Sequence, residues 1–336
     1  MFHKKVVVTA LGLAMAATTA GLLASAAGGA AHAQRTVGYL RSGGGFDDAV
    51  LQGAQTAATA LGDRLDIENA DETPQISAID AFIAQRVNAI AVHPDEGDTA
   101  LLEPALAQAR AAGIATLSLV EAVPGSVWVN QSGSAQYAQA LADALAAQMG
   151  DKGQYAIVGQ QDQFPIATQW QRLIKSYVAK HYPRMKLVKV VRGTGGGDQA
   201  EVAIVKRFMA AHPKLRGLVG LTPTEGYTVA AAIIQARKVG KVFGSGNCGF
   251  APVDEPLATY IRHGAEQVVC AGDPVKLGYL TVWAADYLAG GHTFAPGSYQ
   301  VGGPVGTVEY FSRNDELRLG QPLTITQANI DQYAGP

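Results

Sequence analysis

Along most of this chain, short apolar β-type runs alternate with alanine-rich stretches of helical period, and that regularity leaves few folds open. Thr36-Leu40, Leu65-Asn69, Asn88-Val92 and Ile114-Leu119 read as strands. Between them Asp47 to Leu61, Gln75 to Arg86 and Asp98 to Ala112 read as helices, the last stopped by Gly113. A second set begins after Pro124-Gly125. There the strand-like segments are Val127-Asn130, Gln154-Val158, Met185-Val191, Leu215-Leu221 and Lys241-Gly244. The helices between them run over Ser134 to Gln148, Pro165 to His181, Asp198 to Ala211 and Thr224 to Lys238. Strands joined by helical crossovers run parallel, so the pattern predicts an α/β chain of two doubly wound halves. Their strand ends would gather on two edges and form a cleft.

The remainder breaks the alternation. One helix, Pro274 to Leu288, precedes a Gly/Pro-rich stretch from Gly290 to Gly306 and a β-like tail at Thr307-Phe311 and Leu317-Ile325, suited to crossing back between the halves. Ahead of everything stands a 33-residue leader: Lys4 and Lys5, then an uncharged alanine-rich run, then Ala31-His32-Ala33 in the A-x-A pattern of signal-peptidase sites. The expectation is a cleaved signal peptide, residues 1–33, and a periplasmic mature chain. A retained anchor is the alternative, since the run exceeds the ~20 residues that span a bilayer.

Cys248 and Cys270 are the only cysteines, and each follows a short apolar run. In an oxidising compartment they are expected to pair if those runs are neighbouring strands, with two buried thiols as the alternative. The charged residues, 26 basic and 28 acidic, show no basic stripe that would neutralise phosphates, so nucleic acid is not an expected partner.

Catalytic signatures are missing. The chain has no G-x-S-x-G elbow. His93, His181, His212, His263 and His292 stand singly, without the i, i+4 spacing of a metal-binding helix, so neither metal nor cofactor is expected. Gly244-Ser245-Gly246-Asn247-Cys248-Gly249 matches G-x-G-x-x-G, but Pro252 and Pro256 interrupt the helix that a dinucleotide site would need. The chain is therefore not expected to be an enzyme.

What stands at the strand ends suits a small polyhydroxylated molecule. In the first half these residues are Arg41, Ser42 and Phe46, then His93, Pro94 and Asp95, then Ser118 and Glu121. Arginine donates paired hydrogen bonds, a carboxylate accepts them from adjacent hydroxyls, and an aromatic ring stacks on C–H groups. A surface salt bridge would equally explain Arg41, and a helix cap Asp95. The second half offers Gln160, Gln161, Gln169 and Trp170, then Thr222, Thr224 and Glu225, then Asn247 and Asp273. Here Thr224 reads equally well as an N-cap with Glu225 in the first turn, and Trp170 as core.

Several of these stretches together resemble one family: Asn88-Ala89-Ile90-Ala91-Val92-His93-Pro94-Asp95, Trp128-Val129-Asn130-Gln131, Gln169-Trp170, Thr224-Glu225 before Ala230-Ala231, Lys241-Val242-Phe243-Gly244, and Gly272-Asp273 before Leu277-Gly278. In order and spacing the chain is similar to the type I periplasmic solute-binding proteins of ABC sugar importers, the ribose-binding group, and within it the rhamnose-receptor and autoinducer-receptor branch.

The resemblance implies two Rossmann-like lobes joined by three hinge strands. On that scheme 34–124 plus about 274–304 form the N-terminal lobe, and 125–273 plus about 305–336 the C-terminal one. It also implies a monomer that closes on a sugar or polyol-like ligand and presents it to an ABC permease in the inner membrane. A receptor handing its closed form to a chemoreceptor or sensor kinase is the alternative. Carried over, His93 and Asp95 fall in an N-lobe contact loop, Thr222 and Thr224 in a C-lobe one, and Asp273 at the third crossover. The chain departs from the branch where an acidic residue is expected at the end of the fourth strand, with Glu121 the nearest substitute, and where Ile166-Ala167 replaces an Asp-Gln pair.

Overall fold

The computed structural model describes residues 33–69, 74–95, 98–159, 165–193 and 197–335, and at 165, 166, 270 and 271 only the backbone. The expected cleavage junction lies largely outside the described residues. The chain opens with β1 (Thr36–Arg41), α1 (Gly44–Leu61), β2 (Arg64–Asn69), α2 (Gln75–Gln85), β3 (Ala89–Val92), α3 (Thr99–Ala111), β4 (Ala115–Leu119) and β5 (Val127–Asn130). β3 is Ala-Ile-Ala-Val with every residue buried, as a parallel strand covered on both faces requires.

Next come α4 (Ser134–Met149), β6 (Gly153–Val158), α5 (Pro165–His181), β7 (Met185–Val191), α6 (Gln199–Ala211), β8 (Leu215–Gly220), α7 (Pro223–Gln235), β9 (Phe243–Phe250), α8 (Glu255–Arg262) and β10 (Glu266–Gly272). The last part holds α9 (Pro274–Ala289), β11 (Gly297–Gly302), β12 (Gly306–Phe311), β13 (Glu316–Arg318) and β14 (Leu323–Ile325).

Two sheets result, one ordered β11-β12-β13-β5-β4-β3-β1-β2 and the other β14-β10-β9-β8-β6-β7. Each is packed on both faces. In the first lobe Val50, Ala54 and Ala57 of α1 join Leu277, Leu280 and Ala284 of α9 on one side, while Ile79 and Phe82 of α2 join Leu102 and Leu106 of α3 on the other. In the second, Tyr137 and Leu141 of α4 meet Ile174 and Val178 of α5, opposite Val205 and Met209 of α6 with Val229 and Ile233 of α7. Helices α1 and α9 approach so closely that a Cβ at Gly53 would lie 1.8 Å from the Val275 carbonyl oxygen. Only glycine fits there.

The chain passes between sheets at three places: 131–133 after β5, Asp273 between β10 and α9, and 319–322 between β13 and β14. The sheets therefore shift the expected lobe boundaries. Pro124-Gly125 is a turn within the first lobe, because β5 pairs with β4 and with β13. β12 and β13 likewise extend the first sheet rather than the second. The tail expected as one stretch over Leu317-Ile325 is two strands in different sheets. The Gly244–Gly249 motif lies within β9, between β8 and β10, and opens no helix. Gly244 and Gly246 admit the Glu266 side chain, whose atoms would lie 2.5 and 3.0 Å from Cβ atoms there.

Candidate functional site

In each sheet the winding reverses, between β1 and β3 in the first and between β6 and β8 in the second, and ligands of such folds sit outside the carboxyl ends at that point. At the first reversal the sequence places Arg41 at the end of β1 and His93 just after β3. Asp47, in the first turn of α1 and only 2% exposed, ties them to the helix. One of its oxygens accepts the Gly43 N–H at 2.7 Å, and the other lies 2.7 Å from His93 Nδ1. A carboxylate at a helix N-terminus is also favoured by the helix dipole.

The backbone around His93 is held just as firmly. Its carbonyl accepts the Ser42 hydroxyl at 3.0 Å and the Gln75 amide at 2.8 Å, while Gln75 Oε1 accepts the Asp95 N–H at 3.3 Å. Arg41 pairs through Nη2 with the exposed Asp48 at 2.6 Å, and its buried Nε has no hydrogen-bond partner. Two residues earlier on the same strand face, the buried Tyr39 hydroxyl is also unpartnered. Burial and the nearby Asp47 carboxylate push its pKa up, against the Arg41 charge.

Phe46 faces this cluster and the other lobe at once. Its ring centroid is 5.6 Å from that of His93 and 5.0 Å from that of Phe250, which ends β9, in an edge-on arrangement. The structure thus brings Arg41, Phe46, His93 and Asp95 onto one N-lobe surface and sets Phe250 of the second lobe against it.

The C-lobe candidates are used differently. Asn247 is 3% exposed, donates to the Leu221 carbonyl at 2.9 Å and accepts the Gly249 N–H at 2.6 Å, so its side chain holds the end of β9. Thr222, not Thr224, is the N-cap of α7. Glu225 completes the capping box by accepting the Thr222 N–H at 3.0 Å and contacting its hydroxyl. The Thr224 methyl lies 2.8 Å from where a Gly197 Cβ would be. The Trp170 ring centroid is 4.6 Å from that of Tyr137, whose hydroxyl donates to the Val269 carbonyl; Trp170 is partly buried against the core of the lobe, and its Nε1 is buried without a hydrogen-bond partner.

Gln169 lines a separate groove of about 670 Å³ beside the crossovers. Asp273 caps α9 through the Lys276 N–H at 3.2 Å. Glu121 is half-buried and follows Val120, whose φ of 64° is left-handed, a costly conformation for a β-branched residue. Gln160 and Gln161 lie outside the described residues. Cys248 is disulfide-bonded, and the side chain of Cys270 lies outside the described residues.

Sequence reasoning missed Asp47, Gln75, Phe250 and Gln131. Asp47 reads as an ordinary first-turn acid and Phe250 sits in a Gly/Pro-rich stretch, so neither carries a signal. Gln131 does stand in the Trp128-Gln131 run; its Oε1 is buried and unpartnered, and lies 2.7 Å from where a Gly272 Cβ would be.

A scan of family models matches residues 37–293 to the periplasmic binding protein domain. A search of curated proteins found no match. Among solved structures, a sugar ABC transporter protein from Actinomyces odontolyticus is 22% identical with a TM-score of 0.78, covering 89% of this chain and 97% of its own. An ABC transporter solute-binding protein from Clostridium phytofermentas with bound L-rhamnose is 26% identical, TM-score 0.65, covering 90% and 98%. The arabinose-binding protein AraP from Geobacillus stearothermophilus is 17% identical, TM-score 0.69, covering 90% and 100%. With more than half of its length matched by the family model, and with the two-lobe fold described above, the chain belongs to the periplasmic binding protein domain family.

Proposed function

We propose that the mature chain is the substrate-binding component of an ABC importer, capturing a small sugar or polyol-like ligand between its lobes and presenting the closed form to an inner-membrane permease. The observation that carries this reading is the surface at the first sheet's reversal point. There an Asp47-oriented His93 lies against Phe46, with Arg41 and Asp95 at the same strand ends, and Phe250 of the second lobe stands opposite. Such a surface pairs hydrogen-bonding groups for hydroxyls with rings for C–H faces. The L-rhamnose bound by the Clostridium phytofermentas relative supports the same ligand class.

Capture requires no chemistry. The ligand binds the closed arrangement better than the open one, and that difference drives the hinge. The leader read at residues 1–33 supports a periplasmic location.

A thermal-shift screen of residues 34–336 against pentoses, hexoses, deoxysugars, polyols, amino acids and nucleosides tests the reading. A cargo sugar at 100 times its Kd adds about 2.7 kcal/mol, a rise of a few degrees in Tm. A response to amino acids or nucleosides alone contradicts the sugar assignment.

A further inference from the structure

Two of the three crossovers run side by side. The Leu319 N–H donates to the Asn130 carbonyl at 2.8 Å, the Gly320 N–H to the Gln131 carbonyl at 3.1 Å, and the Ser132 hydroxyl to the Gly320 carbonyl at 2.9 Å. One side chain braces this pair from the flank. Arg318, the last residue of β13, donates from Nε and Nη2 to the two oxygens of Glu316, both at 2.8 Å, a fork-to-fork pairing that fixes the guanidinium plane. Glu316 is buried and is held in turn by the Asn130 amide at 2.7 Å and the Asn314 amide at 3.0 Å.

The other contacts of Arg318 place it between the lobes' connections. Its guanidinium carbon lies 4.2 Å from the Phe311 ring centroid and 2.8 Å from where a Cβ at Gly133 would be. Gly133 is the N-cap of α4, the first helix of the second lobe, with φ −67°. Its backbone conformation suits any residue, so the tight space beside Arg318 is what a side chain at 133 would meet. The adjoining groove has Trp128 and Phe311 of the first lobe on one wall and Gln169 and Leu173 of the second on the other, so its walls move when the lobes rotate.

We propose that Arg318 sets the resting angle between the lobes, its Glu316-fixed guanidinium acting as a stop against Gly133 at the start of the second lobe. Arg318 is thus a positioning residue for ligand capture, remote from the Phe46 surface. The proposal rests on the hinge closure inferred above, and its test uses no ligand, so failure to find a cargo leaves it standing or falling by itself.

The experiment is single-molecule energy transfer on the unliganded mature protein, with dyes on unnatural amino acids at the exposed positions Gln55 of α1 and Lys180 of α5. Arg318→Ala broadens the interlobe distance distribution and shifts its mean. Arg318→Lys keeps the charge, loses the fork, and broadens it to a lesser degree, which covers the case in which the alanine variant fails to fold. Gly133→Ala, which drives a methyl into the guanidinium, shifts the mean in the wild-type background and leaves it unmoved in the Arg318→Ala background. Unchanged distributions in folded Arg318 variants, or an equal shift from Gly133→Ala in both backgrounds, would overturn the proposal.

Discussion

On the first lobe, Asp47, Ser42 and Gln75 spend their hydrogen bonds holding His93 and Asp95 in place, whereas on the second, Asn247 and Glu225 spend theirs on the backbone of their own loops. The two lobes share one plan of parallel strands and crossover helices, and their reversal points are equivalent. Among the described residues, however, the first lobe presents oriented side chains and the second mainly a shaped backbone with Phe250 at its edge. A polar residue at a strand end is therefore not by itself a ligand contact.

The same contrast holds for two buried glutamates. Burial pushes the Glu316 carboxyl up, but hydrogen bonds from Arg318 and Asn130, the Arg318 charge and the Asn314 amide outweigh it and hold the group below the usual carboxylate range. Glu266, at the start of β10, has no hydrogen-bond partner for either oxygen, and burial alone pushes its pKa well up. One is a satisfied anion. The other is a carboxyl whose charged form burial disfavours.

The largest expected effect sharpens the comparison from the C-lobe side. Trp170→Ala removes a ring packed on Tyr137 and should cost about 3 kcal/mol or more in urea unfolding, whereas Trp170→Phe should leave the affinity for any sugar found by the screen unchanged. A loss of affinity in a stable Trp170→Phe protein would make Trp170 a contact and break the contrast. On the N-lobe, Asp47→Ala strands His93 and the Gly43 N–H at a buried site. It should cost roughly 1 to 3 kcal/mol in the same assay and abolish sugar binding in calorimetry. Binding that survives would separate His93 from recognition.

Glu266→Gln tests the buried acid. With a folded pKa above the ordinary value of 4.5, the Glu266 contribution is fully present below that value and is lost as pH rises through the folded pKa. The glutamine variant should be more stable than wild type at pH 8 by about 1 kcal/mol or more and show a flatter stability–pH profile in denaturant titrations. Glu316 has the opposite sign, its contribution being present above the ordinary carboxylate value and lost as pH falls. The smallest effect belongs to Thr224→Val. Its methyl contact with the Gly197 loop survives, so Tm and sugar affinity should both stay within error of wild type.

Much of the fold was legible because parallel strands covered on both faces must be apolar along their length, as in the Ala-Ile-Ala-Val of β3. Lobe membership was not. β5 and β13 are four and three residues long, and their pairing joins Trp128 to Glu316, a partnership no local period can announce. For the site, reading the strand ends proposed Arg41, Phe46, His93 and Asp95, which the structure places at or just beyond the ends of β1 and β3. It did not single out Asp47, which looks like any helix-start acid, or show that Asn247 and Glu225 bond to the backbone of their own loops, because the sequence does not show which backbone groups claim a side chain's hydrogen bonds.

The most direct test of the interlobe reading is calorimetric titration of Phe46→Ala and Phe250→Ala with the sugar that stabilises the wild type most. These rings come from opposite lobes and meet at 5.0 Å, so a ligand held between the lobes depends on both. Each variant should remain folded and lose affinity roughly tenfold or more, about 1.4 kcal/mol. Wild-type affinity in both folded variants would contradict the account and place the ligand elsewhere.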